Sequence, residues 1–345
     1  MKISHFIHQA LFDPSRGYYR TKNPIGENFD FITAPEISQV FGELIAAYLL
    51  QISSTKNSKI SLVEMGAGKG TLLHDILLSI TKLADKKIPQ ALAFLRQTSF
   101  SIIEINEVLK KIQQETLREF SVNWFESFEE FLAQQVGEIF FISNELFDCY
   151  PIDQFVKTDA GWCERVILGD REKKFSLADF DLKTHQFVEN LIGFKASQMA
   201  PFGSVFEHSE SAESFMKQLC TALKKCGGIA VNFDYGYFEN EFANTLQAVK
   251  NHQKIDVLNN AGEADITALV NFSSLEKIAK NFDLNSSLIS QREFFLGLGI
   301  EERRKNLVAK NPQKITKINS AINRLIAPDQ MGELFKCHII WSDQS

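Results

Sequence analysis

Cysteine is scarce and scattered in this 345-residue chain: there are five, at positions 149, 163, 220, 226 and 337. No two form a CxxC pair and none sits in a His cluster, which excludes a disulfide framework and a structural zinc module. His5, His8, His74, His185, His208 and His338 show no ligand spacing either, so no metal is expected. Positive charge is not in excess. The 37 Lys+Arg stand against 43 Asp+Glu, a formal net charge of -6, which removes the electrostatic footprint of a general nucleic-acid binder. Long apolar runs are missing too. The most apolar helical stretch, FGELIAAYLLQI, is broken by Glu43 and Gln51 and is too short to span a bilayer. The opening MKISHFIHQALFDPSRG lacks the apolar core of a signal peptide and the Arg/Ser-rich, acid-poor character of a transit peptide. A cytoplasmic protein without membrane insertion is the expectation.

What is present is a well-filled interior. Apolar residues make up 44% and charged residues 23%, near the globular average and far from disorder. The 30 Phe against 6 Tyr and 3 Trp give aromatic bulk with few polar handles, which reads as core filling.

No repeat or low-complexity linker marks a domain boundary. Residues 1–58 form an N-terminal segment with turn signals in DPSRGYY and NPIGENFDF. Pro35 and Glu36 suit the first turn of a helix whose apolar face carries Val40, Phe41, Leu44 and Tyr48. From Lys59 strands and helices alternate: KISLVEM, SFSIIEI, SVNWF, GEIFFISNELFD and GGIAVNFDYGYF are strands with helical segments between them. Continuous apolar strands separated by helices imply a doubly wound, mostly parallel α/β sheet covered on both faces. Residues 59–345 form this domain. Two stretches, about 152–210 and 239–270, break the alternation and read as insertions after the carboxyl ends of strands, where substrate-selecting elements belong.

The sharpest local feature is Glu64-Met65-Gly66-Ala67-Gly68-Lys69-Gly70-Thr71 between the first strand and its helix. Glycines there let the backbone turn tightly and approach a ligand. The G-x-G-x-G spacing departs from the dinucleotide fingerprint, with Thr71 where its third glycine would fall, and a Walker loop needs a longer gap. S-adenosylmethionine carries an ammonium and a sulfonium and no phosphate, so the acidic Glu64 beside the turn favours it. Many such turns hold no ligand at all. The second strand adds weight, because Glu104 at its end suits both ribose hydroxyls of a cofactor.

GYYR…PIGENFDFITAPEISQVFGELIA, LVEMGAGKGTLLHDIL, ISNELFDCYPIDQFV, VNFDYGY, GEADITALVNFSSL, FFLGLGIEER and NRLIAPDQMGELFK occur in this order over nearly the whole chain. Together they resemble the MidA-like methyltransferases, whose relatives include a mitochondrial arginine methyltransferase of complex I assembly. The resemblance implies the class I, S-adenosylmethionine-dependent methyltransferase fold. It puts Glu64, Gly66, Gly68 and Gly70 at the methionine part of the cofactor, Glu104 at the ribose, and Trp124 and Phe125 near adenine. Thr33 and Asn144 are carried over as further cofactor contacts, and Asp30–Glu36 as part of a lid. With no leader read from the N-terminus, a bacterial member is expected.

Asn144-Glu145-Leu146-Phe147-Asp148 closes the fourth strand, where such enzymes hold the methyl acceptor. Two carboxylates three residues apart, Glu145 and Asp148, can grip a guanidinium and localise its charge. Asn144 and Asp148 would equally cap the following turn. Asp234 and Tyr235 end the fifth strand on the same edge and are candidate substrate contacts. The resemblance puts His252 and Asp265 on the substrate side too, although an isolated His is more often structural. The function expected is methylation of an arginine on a protein partner, of the respiratory-complex assembly type. Two other readings remain: an assembly factor with little turnover, and a small-molecule methyltransferase.

Overall fold

The chain's computed structural model describes residues 1–21, 33–56, 58–169, 172–251 and 253–342. His252 and Asp30–Ile32 of the expected lid lie outside the described residues. Four helices precede the first strand: α1 (Ile3–Phe12), α2 (Tyr18–Thr21), α3 (Ala34–Ile37) and α4 (Val40–Ser53). The alternation then runs β1 (Ile60–Met65), α5 (Thr71–Asp85), α6 (Pro89–Gln97), β2 (Thr98–Ile103), α7 (Glu107–Thr116), β3 (Val122–Phe125), α8 (Phe128–Gln134) and β4 (Glu138–Asn144). The first insertion carries β5 (Asp153–Lys157), β6 (Trp162–Leu168), β7 (Lys174–Leu177), α9 (Leu182–Ile192), α10 (Phe194–Met199) and β8 (Val205–His208). After α11 (Glu210–Cys226) and β9 (Gly228–Tyr237), the second insertion holds β10 (Gln247–Lys250), β11 (Gln253–Ile255) and β12 (Asp265–Thr267). The chain closes with β13 (Val270–Asn271), α12 (Phe272–Asn281), β14 (Asn285–Ser290), α13 (Gln291–Gly297), α14 (Ile300–Lys310), α15 (Ile315–Ile326), α16 (Met331–Leu334) and β15 (Phe335–Trp341).

The central sheet has the order β14-β15-β9-β4-β1-β2-β3, with β13 added beside β9. β1, β2, β3, β4 and β9 pair in parallel, while β15 lies antiparallel between β9 and β14. This is the class I methyltransferase arrangement. Every residue of β4 is buried, as its unbroken apolar run requires of a strand covered on both faces. Phe140 and Ile142 face a core shared with α4, α5, α13 and α15. Ile139 and Phe141 face the other core, against α8, α11 and α12. Phe does the filling as expected: Phe41, Phe94, Phe131, Phe140, Phe141, Phe233, Phe272 and Phe295 are among the largest fully buried side chains.

Register positions the site. Met65 pairs with both Ile103 and Ser143, and Asn144 pairs with Phe233. The residues that follow, Gly66, Glu104, Glu145 and Asp234, therefore emerge along one sheet edge.

Two features differ from the sequence reading. The antiparallel closing pair, β14 and β15, was not read, because FKCHIIW lies at the end of a helical stretch with no βα unit of its own. Residues 1–58 also divide. The apolar face of α4 packs on α5 in the main core, whereas α1 and Tyr18 pack against Ile152, Ile167, Ala248 and Ile266 of the insertions. Among the described residues no helix is long and apolar enough to cross a membrane.

Candidate functional site

A cavity of about 920 Å³ opens at the carboxyl ends of β1, β2, β4 and β9. One side is the glycine turn. Gly66, Gly68 and Gly70 have φ of +72°, +54° and +80°, the left-handed region that glycine enters without a Cβ penalty. Gly66 and Gly68 line the cavity. Gly70 does not: it precedes α5, and a Cβ there would lie 3.3 Å from Leu117 and 3.5 Å from Gln113. Its role is close packing against the end of α7, a correction to the expected cofactor contact.

Glu64 is 4% exposed and its Oε2 accepts the Leu73 amide at 3.1 Å, inside the first turn of α5. Burial, with the Glu104 charge adding to it, pushes the Glu64 carboxyl up to about 8 against that hydrogen bond. Glu104 also lines the cavity, just past β2. Its Oε1 accepts the Asn106 amide at 2.9 Å and its Oε2 accepts Gln113 Nε2 at 2.8 Å. Burial raises its carboxyl too, opposed by those two donors.

Trp124 and Phe125 are not on the cavity wall. Trp124 donates its indole N–H to Gln113 Oε1 at 3.0 Å, and Phe125 is buried against Phe131 with ring centroids 5.7 Å apart. Ile105 and Leu109 stand on the wall beside Glu104 in their place. The sequence reading missed Gln113. A signal existed, since Leu109 and Gln113 are four apart on the buried face of α7, where a glutamine is out of character.

The other side of the cavity begins where β4 ends. Glu145 has φ +53°, a conformation that a non-glycine residue adopts only when its surroundings hold it there. Its amide donates to Phe233 O at 2.9 Å and its Oε1 accepts Asn144 Nδ2 at 3.0 Å. The Ala34 backbone amide, at the start of α3, also donates to its carboxylate. Asp148 Oδ2 accepts the Tyr235 hydroxyl. Asp265 Oδ1 accepts the Tyr19 hydroxyl at 2.6 Å. Asn144 Oδ1 and Asp148 Oδ1 are buried with no protein partner. Burial first and the Asp148 charge second push Glu145 up to about 8, and burial pushes Asp148 up to about 6.

Asp234 differs from its neighbours. It is fully buried and off the wall, its Oδ2 accepting the Phe147 and Asp148 amides at 2.8 and 3.2 Å and its Oδ1 the Tyr235 amide at 2.9 Å. The expected substrate contact is therefore a scaffold that shapes the turn carrying Asp148. Tyr235, Asp265 and Thr33 do line the cavity. Glu36, which follows Thr33 in α3, accepts the Thr71 hydroxyl and pairs with Lys69 at 3.8 Å, tying that segment to the glycine turn.

The wall carries Glu36, Glu64, Glu104, Glu145, Asp148 and Asp265 against Lys69 and Lys254. An acid-dense, half-enclosed space with two unpartnered acceptors suits cationic ligands. S-adenosylmethionine fits this wall: its ammonium and sulfonium would meet carboxylates and its ribose an acceptor such as Glu104, and the cavity has the size of a cofactor-plus-acceptor site.

Residues 44–289 match a family described as "putative S-adenosyl-L-methionine-dependent methyltransferase". The chain is 29% identical to the protein arginine methyltransferase NDUFAF7, mitochondrial, of Danio rerio, over 97% of this chain and 82% of that protein. To the Homo sapiens protein of the same name it is 27% identical, over 96% and 78%. A Burkholderia thailandensis protein described as a "likely methyl transferase", crystallised with S-adenosyl-homocysteine, superposes with a TM-score of 0.84 at 25% identity, covering 99% of this chain and 88% of that one. With a cofactor turn, a sheet order and a family match that agree, the chain belongs to this family of S-adenosyl-L-methionine-dependent methyltransferases.

Proposed function

We propose that the protein methylates an arginine side chain of a protein partner. The observation that carries this reading is the Glu145–Asp148 carboxylate pair at the end of β4, with Asp148 Oδ1 unpartnered and Asp265 nearby on the same wall. When bound, S-adenosylmethionine supplies an electrophilic methyl group on a positively charged sulfur. Gly66 and Gly68 give its methionine part room against the backbone, Glu64 and Asn144 Oδ1 face its positive charges, and Glu104 accepts its ribose hydroxyls.

A guanidinium offers five N–H donors in one plane and does not lose its charge near neutral pH. Glu145 and Asp148 hold it by charge-assisted hydrogen bonds and draw its positive charge away from the attacking nitrogen. As that nitrogen takes up the methyl group it would give up one proton, which Glu145 is placed to accept. A carboxyl raised to about 8 is well matched to that proton near neutrality. Tyr235 holds Asp148 in place through its hydroxyl, and Tyr19 does the same for Asp265. Lysine would meet the pair as a point charge with no planar fork to orient it. The name of the Danio rerio and Homo sapiens relatives, protein arginine methyltransferase, supports the same acceptor. A subunit of a respiratory complex is the partner class that the family resemblance adds.

The test is a pair of peptides that differ only in Arg or Lys at the target position, with mass spectrometry of the products. Methyl-arginine forming, with lysine left unmodified, supports the reading. Equal modification of lysine overturns it.

A further inference from the structure

We propose that Gln113 is a positioning residue for the cofactor: its single amide group aims the Glu104 carboxylate at the ribose and pins the glycine turn through Gly68. The proposal rests on the ribose role given to Glu104 above.

Gln113 is fully buried on the inner face of α7. Its Nε2 donates to Gly68 O at 2.9 Å and to Glu104 Oε2 at 2.8 Å, and its Oε1 accepts the Trp124 indole N–H at 3.0 Å. Only one orientation of the amide satisfies this set, because two of the three partners only accept and the third only donates. One side chain thereby joins the turn after β1, the end of β2 and strand β3.

The consequence falls on Glu104. One of its oxygens is held by Gln113 and the other by the Asn106 amide. Each oxygen keeps acceptor capacity, so the carboxylate can take two vicinal hydroxyls at once. A neutral donor suits this position, since a lysine would itself compete for those lone pairs. The ionised form needs the help. Burial raises this carboxyl, and among the described residues Glu64 on β1 and Glu107 in the first turn of α7 bring further negative charge to it. The nearest cation on α2, Arg20, spends its Nη1 on Ile105 O at 2.9 Å. Donation from Gln113 and the neighbouring amides favours the ionised form against that burial.

Two substitutions give opposite pH signatures. Gln113→Met keeps the size and removes the donor, so Glu104 takes up a proton more readily. Gln113→Glu keeps the shape while the two carboxyls share one proton, and repels once both ionise. Affinities for S-adenosylmethionine and S-adenosylhomocysteine are measured by calorimetry from about pH 6 to about pH 9, with thermal unfolding of each variant as the fold control. The Met variant is expected to bind about tenfold or more weakly near neutrality, with a larger deficit towards the acid end than towards the alkaline end. The Glu variant's deficit should widen towards the alkaline end. In both, the loss falls on cofactor affinity far more than on turnover at saturating cofactor. An unchanged affinity in the Met variant, or pH slopes of the same sign in both variants, overturns the proposal. Should one variant fail to fold, the pH slope of the other still decides. Glu104→Gln separates the two layers: if it leaves cofactor affinity intact, the ribose reading itself fails. If it weakens binding while Gln113→Met does not, only the role of Gln113 fails.

Discussion

The two halves of the cavity hold their carboxylates in different ways. On the β1–β2 side, Glu64 and Glu104 are each met by neutral donors: the Leu73 amide for one, the Asn106 amide and Gln113 for the other. On the β4–β9 side, the Asp148 charge adds to the burial of Glu145, and Asp148 is held by the Tyr235 hydroxyl at Oδ2 while its Oδ1 is left without a partner. The first arrangement meets each carboxylate with a donor before anything binds. The second is frustrated, and a cation with several N–H groups would relieve it. On the proposed reading, a donor-met half for the methyl donor beside a half with an open acceptor suits differential binding of a transition state, since the acceptor side gains most when charge is being rearranged.

The sharpest way to break that comparison is Glu145→Gln. The amide keeps the oxygen that accepts from Asn144 and removes the charge and the proton acceptor. Methyl transfer should fall by about 10²–10⁴-fold with cofactor affinity near wild type, read by single-turnover kinetics beside calorimetry. Retained turnover would move the chemistry away from the β4 end. Gly68→Val attacks the other half. At φ +54° a β-branched side chain is strained and stands on the cavity wall, so cofactor binding should weaken by about 100-fold or more while the fold survives. Binding of NAD in place of S-adenosylmethionine by the wild type would show that the donor-met half had been assigned to the wrong cofactor. Glu104→Ala is gentler. Losing one charged acceptor for the ribose costs about 1.5–3 kcal/mol, roughly ten- to a hundred-fold in cofactor affinity, and should leave the acceptor KM untouched.

The same division explains what the sequence revealed. The donor-met half is written locally: a strand, a glycine turn and a helix are contiguous, and Glu104 closes the next apolar strand, so period and spacing place them. Trp124 and Phe125 misled because a strand end says which residues are near the edge and not which face they take. Phe125 went to the core and Trp124 to a hydrogen bond with Gln113. The acceptor half is assembled from distant pieces. Tyr19 meets Asp265 across 246 positions, and Asp234 reaches the Phe147 amide across 87, contacts that no periodicity encodes. Asp234 shows the limit most clearly. A carboxylate at a strand end reads the same in sequence whether it faces a ligand or gathers three backbone amides.

The smallest effect sharpens the comparison most, because it tests the frustration itself. Burial and the Asp148 charge together hold Glu145 up to about 8, and Asp148 itself stands at about 6. Both are protonated at the acid end and cannot grip a cation there, so kcat/KM for an arginine peptide should rise with pH from about 6 to about 8 and then level, the two groups titrating as a pair. Asp148→Asn removes the second cause of the elevation and leaves the first. The rising limb should shift to lower pH by less than about two units, with the plateau reduced only about tenfold. Stability must move the opposite way. A carboxyl whose folded pKa lies above its unfolded value stabilises the fold below the unfolded pKa, and that contribution is lost as pH rises through the folded one. The ligand-free protein should therefore melt at lower temperature at pH 8 than at pH 6, and Asp148→Asn should flatten that fall. A melting temperature that climbs across this interval, or an acid limb unmoved by Asp148→Asn, would mean that burial and the Asp148 charge do not hold Glu145 up.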